Sequence, residues 1–153
     1  MELDQVSIGI INRLKDGRVP FRQIADELGV AEGTVRSRVK KMQHEGILQI
    51  SGFVDPEHLG EHSVVMVGVR VKDMDLVKKG EEFTGLKGVT SVCVVTGRYD
   101  LIVTVLLNKS FSILEFYTEE VAKLDNIRSV ETFVIYKSFD LKVPLVAWEG
   151  MDE

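Results

Sequence analysis

One cysteine, three prolines and no long apolar run are the first constraints on this 153-residue chain. A lone Cys93 excludes an intrachain disulfide and a cysteine metal cage, and it fits a reducing compartment. No apolar stretch approaches the roughly 18 residues of a membrane-spanning helix. The opening Met1-Glu2-Leu3-Asp4 is acidic, unlike a signal peptide. The expectation is a soluble cytoplasmic protein with no membrane partner. Positive charge is not in excess either: 19 Lys+Arg against 24 Asp+Glu give a net charge of −5. That balance rules out coating nucleic acid non-specifically. With 44% hydrophobic and 28% charged residues the composition is ordinary and argues against long disorder. A chain of this length buries roughly 65–70% of its unfolded surface, so neither metal nor disulfide is needed for a core. No cofactor is expected.

What is present falls into two halves with different periods. Val6, Ile10 and Leu14 recur every four residues, with Asp4 placed as an N-cap and Asp16-Gly17 as a stop. Pro20 suits the first turn of a second helix, where Phe21, Ile24, Ala25 and Leu28 share one face. Gly29-Val30 breaks that pattern; Val35, Val39 and Met42 resume it on a third helix, which Gly46 ends. Residues 47–54 are apolar, partly β-branched and bounded by glycines, reading as a small strand pair or an extended hinge.

Beyond Gly60 strand and helix patterns alternate: strand 63–71 with Gly68 inside it, helix 75–86, strand 89–96, a tight turn at Gly97-Arg98, and strand 101–107. Helix 110–124 follows, with Ser110 as its expected N-cap, then strand 127–136. The order βαββαβ is that of the ferredoxin-like fold. Residues 86–92 align with 124–130 at an offset of 38, placing Gly88 and Asn126 in the same slot after a helix. Both residue types tolerate the left-handed backbone that such a slot favours. Two βαβ halves give a sheet with helices on one face. The other face is apolar and uncovered, which predicts a partner, most simply a second copy.

The third helix carries the distinctive chemistry. Between Gly33 and Gln43 there are four basic residues, Arg36, Arg38, Lys40 and Lys41, and no acidic one. With Val35, Val39 and Met42 turned inward, Gly33, Arg36, Ser37, Lys40, Lys41 and His44 lie on the opposite face, with Thr34 and Arg38 on its flank. That is the recognition helix of a helix-turn-helix, whose long cations reach phosphates or guanine edges; the bland alternative is a solvated basic face. The first 60 residues are nearly balanced, with eight basic and nine acidic groups. Charge focused on one helix suits specific readout better than general adhesion.

Leu3-Asp4, Ile10-Ile11, Leu14, Asp16-Gly17-Arg18, Ile24-Ala25, Leu28-Gly29-Val30, the run from Thr34 to Met42 and Glu45-Gly46-Ile47-Leu48 together resemble the Lrp/AsnC (feast/famine) transcription regulators. The βαββαβ half, with its turn Gly97-Arg98-Tyr99-Asp100, is similar to that family's ligand-binding module. The resemblance covers essentially the whole chain. It implies an α+β fold with an N-terminal winged helix-turn-helix over 1–50, a hinge over 51–61, a ferredoxin-like effector-binding and dimerisation domain over 62–143, and a C-terminal tail over 144–153. It also implies a homodimer, with tetramers or octamers as further assemblies, reading a pseudo-palindromic operator in double-stranded DNA. Carried over by position, Glu32, Thr34, Arg36, Ser37, Arg38 and Lys40 are the DNA-contact candidates, Arg38 also as a buttress of the fold. Ala31 and Pro20 stand where the family prefers side-chain caps, and Ser7 where an aspartate is common.

The resemblance further places a small-molecule effector, an amino acid by preference, near Gly97, Arg98, Tyr99 and Asp100. Asp100 offers a partner for an α-ammonium, the backbone around Gly97 N–H groups for a carboxylate, and Tyr99 a wall. Thr132 and Val134 on the last strand are further candidates, their face left open by alternation. The alternative for this turn is purely structural. His58 and His62 are four apart, but Pro56 and Gly60 argue for a loop and no third metal ligand is evident. Cys93, between two valines, reads as a packed thiol. No catalytic triad or phosphate-cradling glycine loop appears, so an enzyme is not expected. The competing class is a sirohaem decarboxylase-like enzyme on the same fold.

Overall fold

In the computed structural model, which describes residues 2–144, the chain divides between Gly52 and Phe53 into two units. The tail expected over 144–153 lies, beyond Pro144, outside the described residues.

The first unit holds three helices, α1 (Gln5–Arg13), α2 (Phe21–Leu28) and α3 (Glu32–His44). Asp4 caps α1, its Oδ1 accepting the Ser7 N–H at 2.8 Å. Gly29, at φ 66°, ends α2 in the left-handed conformation that a side chain would resist. Neither Pro20 nor Ala31 supplies a side-chain cap to α2 or α3. Each missing cap costs about 1 kcal/mol. Against that, Ile10, Ile24, Val35, Val39 and Met42 are buried among themselves and Ala25, each contributing roughly 1.5–3 kcal/mol. Packing therefore outweighs the uncapped ends. The apolar stripes read from the sequence are the ones buried.

The second unit contains β1 (Phe53–Val54), β2 (Ser63–Val71), α4 (Leu76–Thr84), β3 (Val89–Val94), β4 (Leu101–Leu107), α5 (Ile113–Glu115), β5 (Ile127–Val134) and β6 (Val143–Pro144). Four strands form an antiparallel sheet in the order β3-β4-β2-β5, the ferredoxin-like arrangement. Alternation along β2 sends Val65, Val67, Val69 and Val71 into a core with Phe83 and Phe116 from the helix layer and Phe111 from the turn before α5. The other face presents Met66 and, from β5, Phe133, both partly exposed.

Three expectations need correction. No strand forms before Phe53 among the described residues, so the first unit carries no wing; Phe53–Val54 pairs instead with Val143–Pro144 inside the second unit. The apolar residues nearest to it are used otherwise: Leu48 packs on the helical core. Ser110 does not cap the fifth helix, because its N–H and hydroxyl both bond Asn108 Oδ1 at 3.0 Å. Ser112 does, through a capping box with Glu115, and the helix continues as a π-helical turn over Phe116–Glu120 and a 3-10 turn over Val121–Lys123. Cys93 is exposed, since Val92 takes the helix side of β3 and leaves Cys93 on the other.

The internal repeat has a geometric counterpart. Gly88 and Asn126 both have left-handed backbones, at φ 81° and 62°. The helix of each half is tied to the other half's turn. Lys79, buried and paired with Glu82, donates to the Asp125 carbonyl at 3.0 Å, while Glu120 accepts the Lys87 N–H at 3.2 Å.

Candidate nucleic-acid interface and effector loop

On α3 the buried Val35, Val39 and Met42 fix the rotation of the helix, leaving Glu32, Gly33, Thr34, Arg36, Ser37, Lys40 and Lys41 exposed. A Cβ on Gly33 would meet nothing within 4 Å, so the start of the helix opens directly onto solvent. Two of these cations have acidic partners one turn away. Arg36 Nη2 donates to Glu32 Oε1 at 2.8 Å, and Lys41 Nζ lies 3.8 Å from Glu45 Oε1. The Arg36 guanidinium also stands 5.5 Å from the centre of the Phe21 ring.

Arg38 differs from its neighbours. It is half-buried, and its Nη1 donates to both Asp4 carboxylate oxygens at 2.6 Å and to Ser7 Oγ at 2.9 Å. The side chain thus ties α3 to the start of α1, which is the buttressing alternative rather than an outward contact. The Ser7 N–H first, and then Arg38, hold the Asp4 carboxyl down, from the ordinary 3.8 to about 2. A depressed carboxyl stabilises the fold above its unfolded pKa and ceases to do so as pH falls through its folded one. Asp4→Asn is therefore expected to be less stable than the wild type at pH 5, with the gap narrowing steadily toward pH 2. Urea midpoints measured across that range check it, and a gap independent of pH would remove the charge from the explanation.

The second candidate site lies at the turn between β3 and β4. Gly97, at φ 126°, makes the reversal. Tyr99 lies over Gly68, where a Cβ would come within 2.7 Å of the ring. Its hydroxyl donates to Glu131, and its ring meets Phe133 edge-on at 5.7 Å between centres. Arg98 Nη2 completes the cluster, 3.2 Å from Glu131 Oε2. The Glu131 carboxylate raises the Tyr99 phenol above its usual value, with Arg98 pulling the other way. Gly97, Arg98 and Tyr99 thus do gather, around a residue that the sequence did not single out.

Asp100 is occupied elsewhere. Its Oδ2 accepts the Val71 N–H at 2.9 Å, where the β2–β5 register shifts between Arg70 and Val71. Its own N–H donates to the Val69 carbonyl at 2.9 Å. This is the structural alternative for the turn, and it removes one carboxylate oxygen from any ammonium. Asp100→Ala leaves the Val71 N–H without its acceptor and is expected to cost about 1–3 kcal/mol of folding stability. A chemical-denaturation curve indistinguishable from wild type would contradict that role.

Thr132 and Val134 do not join the cluster. The β2–β5 register pairs Thr132 with Val67, on the helix side, where its hydroxyl shares a 2.5 Å hydrogen bond with Tyr117. Val134 follows the same alternation and is exposed. Glu131 and Phe133, one residue away from each, take the face of Tyr99. The available signal for this face was Gly68: a glycine inside a β-branched run marks close approach by another group. Two clefts on the second unit, of about 240 and 330 Å³, lie elsewhere. One is bounded by His62, Ile135 and Lys137, the other by Asp73, Lys79 and Lys123. His58 sits in the turn Pro56–His58, and His62 Nδ1 is 2.7 Å from the Leu59 carbonyl oxygen.

Comparison with known proteins converges on one family. Residues 3–43 match the AsnC-type helix-turn-helix domain and residues 64–144 the Lrp/AsnC ligand binding domain. The HTH-type transcriptional regulator Ptr1 of Methanocaldococcus jannaschii is 30% identical over 141 residues, 90% of this chain and 94% of that one. Among solved structures, E. coli AsnC has a TM-score of 0.62 at 24% identity, covering 90% of this chain and 95% of its own. A Neisseria meningitidis transcriptional regulator solved as a complex with L-Met has a TM-score of 0.65 at 17% identity, covering 95% and 97%. These two likenesses establish a shared fold, an N-terminal helix-turn-helix followed by an α+β domain with an antiparallel sheet. By the models matched at both ends and the identity to Ptr1, the chain belongs to the Lrp/AsnC family of transcriptional regulators.

Proposed function

We propose that this regulator binds a pseudo-palindromic operator in double-stranded DNA as a homodimer, or as a tetramer or octamer built from it, in the cytoplasm. The observation that carries the reading is the outer face of α3. Thr34, Arg36, Ser37 and Lys40 are exposed together on the side opposite the buried Val35, Val39 and Met42. A helix rotated in this way presents cations and hydroxyls of the length that major-groove edges and phosphates require. Arg38 serves the helix unit rather than the DNA. The apolar sheet face with Met66 and Phe133 supports association through the second unit.

A small molecule, of the amino-acid class, modulates DNA binding or assembly. The support is the ligand-binding domain match together with the charged cluster of Arg98, Tyr99 and Glu131, which brings a cation and a phenol from the β3–β4 turn beside a carboxylate from β5. The Neisseria regulator of the same fold, solved as a complex with L-Met, supports the amino-acid class of the effector. The enzyme alternative is disfavoured by the relatives, which are named as transcriptional regulators. The three histidines are also dispersed, His44 on α3 and His58 and His62 in or beside a loop.

The test is selection of bound fragments from sheared genomic DNA at two salt concentrations. A shared pseudo-palindrome surviving the higher salt is expected. Binding that disappears uniformly, with no common motif, would reduce the interaction to non-specific electrostatics and overturn the reading.

A further inference from the structure

Phe21, Glu32 and Arg36 form one cluster at the exposed junction of α2 and α3. Phe21 is the first residue of α2 and Glu32 the first of α3, so helix geometry places both beside Arg36, one turn into α3. Glu32 lies four residues before Arg36, the spacing at which side chains meet on a helix. Glu32 Oε1 takes an N–H of Arg36 Nη2 at 2.8 Å, and the guanidinium carbon sits over the Phe21 ring at 5.5 Å from its centre. The Arg36 side chain is nonetheless 66% exposed. Such an arginine would ordinarily sample many rotamers. Here a carboxylate engages one end of the guanidinium and an aromatic ring lies beside it.

We infer that Phe21 and Glu32 are positioning residues for base readout, holding Arg36 as a preformed reader of guanine. The chemistry of the two contacts leaves the reading edge available. The cation–π contact with Phe21 consumes no N–H donor of the guanidinium, and the Glu32 bond uses one of the five. A guanine presents O6 and N7 as paired acceptors in the major groove, the match for an arginine's forked donors. Glu32 therefore does not act as a repulsive charge facing phosphate. Its charge is opposed by Arg36, and its second oxygen is suited to the cytosine amino group. Arg36 and Glu32 together form a unit fitted to a G·C pair rather than to A·T. Phe21, partly buried against the helical core, supplies rigidity from a helix that itself need not touch a base.

The inference rests on the reading of α3 as the DNA-contacting helix, and the experiment separates the two. Full-length wild type, Phe21→Leu, Phe21→Tyr, Glu32→Gln and Arg36→Ala are each used to select from a randomised duplex library, alongside thermal unfolding and salt titrations. Leucine retains the apolar bulk and loses the π face; tyrosine retains both. Phe21→Leu is expected to weaken one guanine preference by roughly two- to fivefold per half-site, the range of an exposed cation–π contact. Its salt slope and melting temperature should stay near wild type, and Phe21→Tyr should restore the preference. Glu32→Gln should relax the same position, and Arg36→Ala should erase it. If Arg36→Ala erases a guanine position that Phe21→Leu leaves intact, the positioning role is overturned while the DNA reading stands. A uniform loss at every position in step with a lower melting temperature would make Phe21 merely structural. If Arg36→Ala changes no preference at all, the reading of α3 falls and this inference with it.

Discussion

Gly68→Ala lowers the stability of the second unit by about 1–3 kcal/mol, the cost of forcing a side chain into an occupied space. The expectation runs against intrinsic preference. Gly68 is inside β2, flanked by β4 and β5, and alanine is ordinarily better than glycine in a strand by about 0.5–1 kcal/mol. What reverses the sign is the Tyr99 ring, whose atoms would lie 2.7–2.8 Å from the new Cβ. That ring cannot simply swing aside, because its hydroxyl is bonded to Glu131 and its edge meets Phe133. The substitution also has a functional reading: displacing Tyr99 dismantles the Arg98–Tyr99–Glu131 cluster and should abolish an effector response that depends on it. The decisive comparison is made in a Tyr99→Ala background. With the ring gone, Gly68→Ala should become neutral or stabilising, so the same substitution changes sign. Urea unfolding of the four proteins measures this directly, and an equal penalty in both backgrounds would place the strain in the β2 backbone instead.

The same position shows what a sequence makes visible and what it conceals. The first unit was legible nearly residue by residue, because helical periodicity and caps are local: Val35, Val39 and Met42 are buried, Asp4 caps α1, and Gly17, Gly29 and Gly46 end the helical turns with positive φ. The βαββαβ order was legible for the same reason. Faces of strands were not. Alternation shows which residues share a side, yet only the register with a neighbouring strand shows which side the helices cover. The face of Thr132 therefore stays open in the sequence, Cys93 reads as packed where it is exposed, and Glu131, which gathers Arg98 and Tyr99, carries no signal of its own. Asp100 illustrates a second limit. A carboxylate in a turn looks equally suited to a ligand and to a backbone N–H, and the Val71 amide that claims it is 29 residues away. Ser110 lost its capping role to Ser112 for a reason that was in principle readable, since Ser112 alone has a glutamate three residues on. The missing wing was not readable: residues 53–54 are as suited to pairing within the first unit as to the β6 strand they adopt.

Three of the four arginine and lysine positions of α3, Arg36, Arg38 and Lys40, should separate structural from DNA-reading roles, their alanine variants behaving in three distinct ways. A bidentate contact to a base is worth about 1–3 kcal/mol, and a dimer on two half-sites loses it twice. Arg36→Ala should accordingly weaken the preferred operator by roughly 30-fold or more, while affinity for unrelated DNA changes little. Lys40 is exposed on the same face, and under the proposed reading of α3 it meets phosphate. Its removal should weaken all sequences alike and flatten the dependence of log affinity on log salt by about one per contact. Arg38→Ala should do neither. Its bonds run to Asp4 and Ser7, so their loss frees α3 from the start of α1 and leaves the Asp4 carboxylate and the buried Ser7 hydroxyl without their shared donor. The result is a lower melting temperature of the helical unit, with operator affinity per folded molecule near wild type. Operator and random-duplex titrations at several salt concentrations, read beside thermal unfolding, resolve all three patterns. An unchanged salt slope for Lys40→Ala together with an unchanged operator preference for Arg36→Ala would move the DNA-contacting surface off α3. A loss of DNA affinity in Arg38→Ala without a loss of stability would mean that the Asp4–Arg38 tie opens when the helix meets DNA, turning a structural contact into a coupled one.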